Sequence, residues 1–196
     1  NGTNTLFYSD QYCQIVSLKE LNKIKINENQ VEVEAGAILP FLINQAAEKY
    51  LGGLEFTYPV PATVGGAIKQ NFGAYKKSIS DLVEEVTCFD ISKKETITLS
   101  KKDCKFGYRS SIFKDRDLVI ISAILSLEHK NKDQSEIECD LYKTRRANRY
   151  PLHNTLGSVF KNPKNLSAGK IIDDCGLKGY KHKSAKICNT HGNVIL

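Results

Sequence analysis

The stretch LVIISAILSL, Leu118 to Leu127, decides the fold class. A run that is apolar at nearly every position, without polar alternation, is typical of a strand that is buried in a sheet. We therefore predict a buried strand here.

Other segments of the chain carry the patterns of further strands and of helices. Val31 to Glu34 alternates apolar and acidic residues, which indicates a half-exposed strand, and Leu39 to Tyr50 then has apolar residues at helical spacing. From Leu82 to Leu99, two β-rich runs flank Ser92-Lys93-Lys94, which predicts a hairpin. Strands and helices therefore alternate, and the predicted class is α+β.

Two further helices are predicted towards the C-terminus. Residues 135–149 read as a helix with Ile137 and Leu141 facing inward and basic residues near its C-terminal end, where they suit the helix dipole. A shorter helix should begin at the N-cap Ser167 and end at Cys175, with Gly176 as its stop. After Pro151 the sequence pattern is that of a loop, so we predict a domain boundary that separates residues 1–149 from residues 150–196.

Composition places the chain among globular proteins, because 41% of its 196 residues are hydrophobic and 26% are charged. No apolar run reaches the roughly 18 residues of a membrane-spanning helix. The N-terminus has neither the basic start nor the apolar centre of a secretory signal, so the expected location is the cytoplasm. Since the sequence contains no methionine and ends within an apolar run, we expect it to be a fragment of a longer protein.

Cysteines, histidines and net charge narrow the classes of ligand. The 6 cysteines form no C-x-x-C pair and the 4 histidines are not spaced as zinc ligands, which favours free thiols and predicts no metal site. A net charge of +6 suggests an anionic partner, either nucleic acid, a phosphorylated cofactor or a nucleotide-sugar. The basic group Lys143, Arg145, Arg146 and Arg149 fits a solvated helix face or a nucleic-acid contact, although no aromatic platform accompanies it.

Three glycine-containing segments have the composition of phosphate-binding loops. Asn1 to Thr5, Pro61 to Ala67 and Asn71 to Tyr75 combine small residues with hydroxyl or amide groups, which lets a backbone approach a phosphate closely. None matches the G-x-G-x-x-G fingerprint or the P-loop, and each alone could be an ordinary turn. Together they favour a flat or extended cofactor.

Two polar residues are candidates for chemistry. Arg109 lies among the aromatic residues of FGYRSSIFK (106–114), and its guanidinium could grip a carboxylate or stabilise an oxyanion, although a surface salt bridge is an alternative. Ser158 lies on the tight corner GSVFKNP (157–163), where its hydroxyl could donate a proton or simply complete a turn. The G-x-S-x-G motif of a serine nucleophile is absent.

Taken together and in this order, these segments resemble the UDP-N-acetylenolpyruvoylglucosamine reductase family, also called UDP-N-acetylmuramate dehydrogenases. The similarity runs from the first residue to the last. The motifs that carry it are the Gly2-Thr3-Asn4 loop, PATVGGA (61–67), NFGAY (71–75), FGYRSSIFK, GSVFKNP, SAGKIIDDCGLKGY (167–180) and the closing HGN (191–193).

The resemblance implies a fold and an activity. The fold is the FAD-binding fold of the vanillyl-alcohol oxidase type (PCMH-like), over residues 1–149, followed by a small α+β substrate-binding domain over residues 150–196, both incomplete. The activity is the reduction of UDP-N-acetylglucosamine enolpyruvate to UDP-N-acetylmuramate with FAD as cofactor and NADPH as reductant, in peptidoglycan precursor synthesis, by a monomer without nucleic-acid or membrane partners. The alternative is a non-catalytic remnant that binds FAD or a nucleotide-sugar.

The resemblance also implies roles for individual residues. Arg109 would hold the substrate carboxylate, and Ser158 would protonate the developing enolate. The family's catalytic glutamate would lie beyond Leu196. Substrate contacts would come from Tyr75, Tyr108, Asn162 and, more weakly, Lys161. The residues that would contact FAD are Gly2, Thr3, Asn4, Thr5, Pro61, Ala62, Thr63, Gly65, Gly66, Asn71, Gly73 and Ala74.

Overall fold

A computed structural model describes residues 2, 4–6, 15–150 and 155–196, and all structural statements below concern these residues. The helices are α1 (Leu39–Ala47), α2 (Val64–Lys69), α3 (Lys132–Ala147) and α4 (Ala168–Asp174). The strands are β1 (Ile24–Asn27), β2 (Gln30–Glu34), β3 (Leu51–Gly52), β4 (Gly73–Ala74), β5 (Lys77–Ser78), β6 (Val83–Asp90), β7 (Glu95–Ser100), β8 (Leu118–Ser126), β9 (Glu128–His129), β10 (Lys181–His182) and β11 (Ala185–Lys186).

The predicted buried strand is β8, and it lies at the centre of an antiparallel sheet of order β1-β2-β8-β6-β7. Ala123 of β8 is opposite Val33 of β2 on one side and Val86 of β6 on the other. No residue of β8 is exposed. The predictions of a buried strand, of the strand over Val31 to Glu34 and of the hairpin β6-β7 are therefore confirmed.

Helices α1 and α2 contribute to one hydrophobic core with this sheet. Helix α1 has Pro40 in its first turn and buries Leu39, Leu42 and Ile43, as its apolar spacing predicted. Helix α2 packs against β2 and β8. Phe113 from the 106–114 segment is fully buried in the same core, so this segment is anchored next to α2.

Helix α3 is joined to the body of the first unit by a buried ion pair. Glu55 is 1% exposed, and one of its carboxylate oxygens lies 3.3 Å from Lys130 Nζ while the other accepts a hydrogen bond from Ser135 Oγ at 2.8 Å. Lys130 Nζ also lies 3.0 Å from Glu138 Oε1 of α3. The buried charges are therefore paired and hydrogen-bonded, which is the condition under which burial is tolerated.

The pKa values of this pair shift in the directions that keep both groups charged. Burial alone would raise the pKa of Glu55, but backbone and Ser135 hydrogen bonds and the Lys130 cation outweigh burial and lower that pKa. Burial alone would lower the pKa of Lys130, but its contacts with Glu138 and Glu55 outweigh burial and raise that pKa to about 12. The pair is therefore charged over a wide pH range.

The inward face of α3 differs from the sequence-based prediction. Ile137 and Leu141 are 69% and 45% exposed, so the prediction that they face inward was wrong. Ser135 and Tyr142 are the buried residues of this helix. On this buried face Ser135 donates its hydrogen bond to the buried Glu55, so the face is chosen by a polar contact as well as by apolar packing.

The described residues divide into two compact units, 15–142 and 143–196 excluding 151–154, the second joined by residues 2 and 4–6. In the second unit, α4 has the predicted caps: Ser167 Oγ accepts a hydrogen bond from the Lys170 N–H at 3.3 Å, and Gly176 has a φ of 70°. That prediction is confirmed. The assignment of residues 1–149 to FAD and of residues 150–196 to substrate stays a prediction.

Candidate active site

The segment from Pro61 to Ala67, which is a candidate for FAD contact, forms the start of α2. Thr63 is the N-cap, and its Oγ1 accepts a hydrogen bond from the Gly66 N–H at 3.3 Å. Close packing requires glycine at position 65, since a Cβ there would lie 2.8 Å from the Ala35 Cβ. Gly66 is exposed, and a Cβ there would contact only Thr63 Oγ1, at 3.3 Å. Its outer face is therefore open to close approach by a flat ligand.

The first backbone N–H groups of α2 are already occupied within the protein. Val64 N–H donates to the Ala37 carbonyl and Gly65 N–H to the Ala35 carbonyl, both at 2.9 Å. Since Gly66 N–H donates to Thr63, none of the three is available to a phosphate. This segment can therefore contribute close backbone approach to a cofactor rather than free N–H donors.

The NFGAY motif leads into a hairpin formed by β4 and β5. Its two-residue turn consists of Tyr75 and Lys76, which both have positive φ, 53° and 65°, as the tightest hairpin turns require. The Tyr75 ring lies 4.6 Å from the Tyr142 ring of α3, centroid to centroid, at an angle of 37°. Tyr75 is still 38% exposed. The candidate substrate residue is thus held at a turn tip against a buried ring.

Asn71 connects this hairpin to the FGYRSSIFK segment. It is 7% exposed, its Nδ2 donates to the Gly107 carbonyl at 2.9 Å, and its Oδ1 accepts from the Ser80 N–H at 3.2 Å. Both ends of the side-chain amide therefore hold the fold together. Its backbone is engaged as well, since the N–H donates to the Ile68 carbonyl at 3.0 Å.

Arg109 lies on a tight turn beside the same hairpin. Gly107 and Ser110 exchange two backbone hydrogen bonds, of 3.0 and 3.1 Å, and Arg109 between them has a φ of 53°. Its guanidinium donates to the Gly73 carbonyl and, at 3.5 Å, to the Asn71 carbonyl. At Gly73 a Cβ would lie 3.0 Å from Arg109 Nη1, so the glycine leaves room for the guanidinium.

The contacts of Arg109 are with rings and carbonyls. Its guanidinium carbon lies 5.8 Å from the Phe72 ring centroid and 5.5 Å from that of Tyr108. Within the described residues, no carboxylate forms an ion pair with Arg109, so the surface salt bridge considered from sequence is not present there. A half-buried guanidinium without a carboxylate partner is suited to bind an anionic ligand.

The rest of the FGYRSSIFK segment holds the end of α2. Ser111 is 1% exposed, and its Oγ donates to the Lys69 carbonyl at 2.7 Å. Lys114 Nζ donates to Gln70 Oε1 at 3.0 Å. The structure therefore brings the candidates of Pro61 to Tyr75 and Arg109 together in the first unit.

The corner GSVFKNP in the second unit is held by the HGN motif. Gly157 has a φ of 83°, and Ser158 forms a bridge with Val194. The Asn193 side chain pairs with the Phe160 backbone, since Nδ2 donates to its carbonyl at 2.8 Å and Oδ1 accepts from its N–H at 2.9 Å. Asn193 is 4% exposed, whereas Ser158 is exposed. The corner is therefore clamped by a buried asparagine, and its serine is accessible.

Beyond this corner, Asn162 and Lys161 have different surroundings. Asn162 Oδ1 accepts a hydrogen bond from the Ala168 N–H at 3.0 Å and so helps to cap α4. Lys161 is exposed and has no hydrogen bond or ion pair within the described residues. Of the two, Lys161 has the free cation that a diphosphate needs, and Asn162 is tied to the helix start.

The ring of Tyr150 lies next to Ser158 in this unit. Its hydroxyl is 3.5 Å from Ser158 Oγ, and its ring stacks on His191 with centroids 4.5 Å apart. Burial, together with the charges of Lys178 and Arg149, lowers the pKa of His191. These surroundings therefore favour the neutral form of His191.

The described residues of the N-terminal loop are exposed and make few contacts. Gly2 has a φ of 71° and no atom within 4 Å of a Cβ position, and the Thr5 N–H donates to its carbonyl at 3.2 Å. Asn4 and Thr5 are exposed, and Thr3 lies outside the described residues.

Comparison with known proteins identifies the family. The model of the UDP-N-acetylenolpyruvoylglucosamine reductase C-terminal domain matches residues 149–196, and that of an FAD binding domain matches residues 1–100. The UDP-N-acetylenolpyruvoylglucosamine reductase of Francisella tularensis is 37% identical over all of this chain and 71% of its own length. The chain belongs to the UDP-N-acetylenolpyruvoylglucosamine reductase family.

Two further members of the reductase family support the assignment. The protein of the same name from Thermotoga sp. strain RQ2 is 40% identical over all of this chain and 65% of its own length. The crystal structure of UDP-N-acetylenolpyruvylglucosamine reductase from Thermus caldophilus superposes with a TM-score of 0.77 at 33% identity, over 84% of this chain and 60% of that one. The chain thus spans 60–71% of the length of these three reductases.

Membership of the reductase family confirms the predicted fold class and cofactor. The fold is the α+β FAD-binding fold, and FAD is the cofactor of this domain. None of the helices in the described ranges is long and apolar enough to cross a membrane. The five cysteines that lie in these ranges are free, as predicted: Cys88, Cys104, Cys139, Cys175 and Cys188.

Sequence reasoning missed three residues that organise the candidate site of this reductase-family chain. Tyr142 supports Tyr75, Asn193 clamps the corner of Ser158, and Tyr150 contacts the serine hydroxyl. The HGN motif was recognised as part of the resemblance, which was a signal for Asn193, but no local pattern points to Tyr142 or Tyr150. The roles of the predicted site residues stay proposals.

Proposed function

We propose that the protein containing this chain reduces UDP-N-acetylglucosamine enolpyruvate to UDP-N-acetylmuramate with FAD and NADPH, in peptidoglycan precursor synthesis. The names of the relatives, which match the whole chain at 37–40% identity, support the reaction. The structural observation that carries the proposal is Arg109, a half-buried cation held on a rigid turn without a carboxylate partner in the described residues. Such a group fits a substrate that carries both a carboxylate and a diphosphate.

The described FAD candidates fit a flat cofactor in size and openness. Gly2 and Gly66 have faces that are open to solvent, and Ala62 and Ala74 are small and half-buried. They would lie against the cofactor by close backbone approach. The chemistry that FAD supplies when bound is two-electron transfer from NADPH to the enolpyruvyl double bond of the substrate.

In this proposal Arg109 holds the substrate carboxylate. Reduction of the double bond at its terminal carbon leaves negative charge on the carbon next to the carboxylate. A guanidinium with paired donors stabilises the resulting enolate, and its fixed position means that little reorganisation is needed as the charge develops. Tyr75 and Tyr108, which both have exposed rings, would contact the nucleotide-sugar near it.

Ser158 would supply the proton that completes the reaction. A serine hydroxyl is a weak acid in water, so its competence has to come from fixed position next to the carbanion. The corner clamped by Asn193 supports that role. Lys161 would contact the diphosphate through its free ammonium, and Asn162 would lie next to it.

We further propose that the enzyme works as a monomer in the cytoplasm. Free thiols, as found in the described residues, are usual in that reducing compartment.

The test is the visible absorption spectrum of the full-length protein under anaerobic conditions. A flavin band that bleaches with NADPH and returns with UDP-N-acetylglucosamine enolpyruvate supports the reductase. A flavin band that does not respond to either compound supports the alternative, a non-catalytic member that binds FAD. If no flavin is retained after incubation with FAD, the proposal fails altogether.

A further inference from the structure

Tyr150 occupies a position next to Ser158 that the proposed function does not yet use. Its hydroxyl lies 3.5 Å from Ser158 Oγ, and both residues belong to the second unit. The rest of the side chain is half-buried, so the ring is fixed while its polar tip reaches an exposed serine. A tyrosine side chain can do both, because its ring packs against apolar groups while its hydroxyl forms hydrogen bonds.

The Tyr150 ring is held between two neighbours. The Arg146 guanidinium carbon lies 5.0 Å from its centroid, and the His191 ring stacks on it with an interplanar angle of 27°. A cation at this distance is attracted to the face of a tyrosine ring. Both contacts fix the position of the ring next to Ser158.

His191 is fixed by the same residue that clamps the serine corner. The backbone N–H of Asn193 donates to His191 Nδ1 at 3.2 Å, while the Asn193 side chain pairs with Phe160. With Nδ1 as an acceptor, the neutral ring carries its proton on Nε2. Asn193 therefore holds both His191, on which the Tyr150 ring stacks, and the corner that carries Ser158. This fixes Tyr150 and Ser158 relative to each other.

We propose that Tyr150 is a positioning residue for Ser158, which orients the serine hydroxyl and returns a proton to it; this inference rests on the proposed function. As the Ser158 O–H bond breaks, its proton forms the new C–H bond of the substrate. In the same step the serine oxygen takes the proton of the Tyr150 hydroxyl, and the phenolate then takes up one proton from solvent. Serine never has to hold a full negative charge, since a phenol is the better acid.

The test compares Tyr150→Phe with a matched control in the full-length protein. Tyr180 is exposed, and its hydroxyl has no partner in the described residues, so Tyr180→Phe removes a hydroxyl without the proposed role. We expect Tyr150→Phe to leave flavin reduction by NADPH unchanged, to slow reoxidation by substrate at least about tenfold, and to lower kcat with little change in KM. Tyr180→Phe should behave as wild type.

A double variant separates this role from a structural one. In a Ser158→Ala background, Tyr150→Phe should cause no further loss, because the hydroxyl acts only through the serine. If Tyr150→Phe slows the NADPH step as well, or slows reoxidation in the Ser158→Ala background by the same factor as in wild type, the inference is overturned. Wild-type rates in Tyr150→Phe would overturn it too.

Proton NMR of His191 tests the geometry without activity. The Tyr150 ring should shift the His191 ring protons upfield; this shift should persist in Tyr150→Phe and vanish in Tyr150→Leu. If the shift is absent in wild type, the stack is wrong and so is the inference. If wild type shows the shift but no reoxidation by substrate, the proposed function has failed, and the proton-return role fails with it.

Discussion

At the residue scale, the candidate site depends on two asparagines whose side chains bond to backbone groups of other segments. Asn71 joins the β4-β5 hairpin to Gly107, and Asn193 pairs with the Phe160 backbone. Both side-chain amides are buried and cannot bond to water, so they need these hydrogen-bond partners within the protein. The motifs NFGAY and HGN predicted that these positions matter, but the amide partners are 33–36 residues away and could not be predicted from local sequence.

Replacing Asn193 with alanine should loosen the Ser158 corner. The change removes both side-chain hydrogen bonds to Phe160, which should cost about 2–3 kcal/mol in the free energy of unfolding of this unit, because buried backbone groups are left without partners. Hydrogen exchange of the Phe160 amide in the full-length protein measures it. Asn148→Ala at an exposed position is the control, and equal exchange in both variants would contradict the clamp.

Replacing Arg109 with lysine should weaken turnover of the enolpyruvyl substrate. Lysine keeps the charge but cannot contact the Asn71 and Gly73 carbonyls while also gripping a carboxylate with paired donors. We expect kcat/KM for the substrate to fall about 100-fold, of the order that one electrostatic donor contributes. The NADPH step should persist. The matched control is Arg145→Lys on the exposed side of α3, and wild-type kinetics in both variants would remove Arg109 from the site.

At the element scale, α3 shows how a polar contact overrides an apolar pattern. Its spacing of Ile137 and Leu141 predicted the inward face, yet the helix turns Ser135 and Tyr142 inward. The strand β8, the hairpin β6-β7 and the capped helix α4 could be predicted because their signals are local: apolar content, turn residues and caps. The face of α3 could not, because it depends on Glu55, which lies 80 residues from Ser135.

Replacing Lys130 with methionine should destabilise the packing of α3. It leaves Glu55 buried without its cation, which costs about 3–5 kcal/mol in comparable buried pairs. Lys132→Met is the control, since Lys132 pairs with Glu48 at the surface and should matter little. Denaturant unfolding of both variants gives the comparison. Similar losses in the two would contradict a special role for the buried pair.

The same pair predicts the pH dependence of stability. Because the pKa of Glu55 is lowered, its contribution is present above pH 4.5 and is lost as pH falls through the folded pKa. Because the pKa of Lys130 is raised to about 12, its contribution is present below pH 10.5 and is lost as pH rises towards 12. In Lys130→Met the alkaline loss should shrink.

At the scale of the whole molecule, each compact unit carries one half of the proposed chemistry. The first holds Arg109 and the small-residue segments of the FAD binding domain, and the second holds Ser158 on its clamped corner. The order of motifs along the chain was enough to predict the family and the fold, because similarity over the whole chain does not depend on the correct interpretation of any single segment. It was not enough to predict the roles of Tyr142, which contacts the Tyr75 ring, and of Tyr150, whose hydroxyl lies near Ser158. Each of these tyrosines belongs to a different segment from the residue that it contacts.

The central claim is that Ser158 protonates the reduced substrate, and the two half-reactions of a Ser158→Ala variant test it most directly. In stopped-flow absorption of the full-length enzyme, flavin reduction by NADPH should keep its wild-type rate. Reoxidation by UDP-N-acetylglucosamine enolpyruvate should slow by about 10²-fold or more. Ser184→Ala, at an exposed serine of the same unit, should leave both rates unchanged. Equal slowing of both half-reactions, or none, would contradict the account.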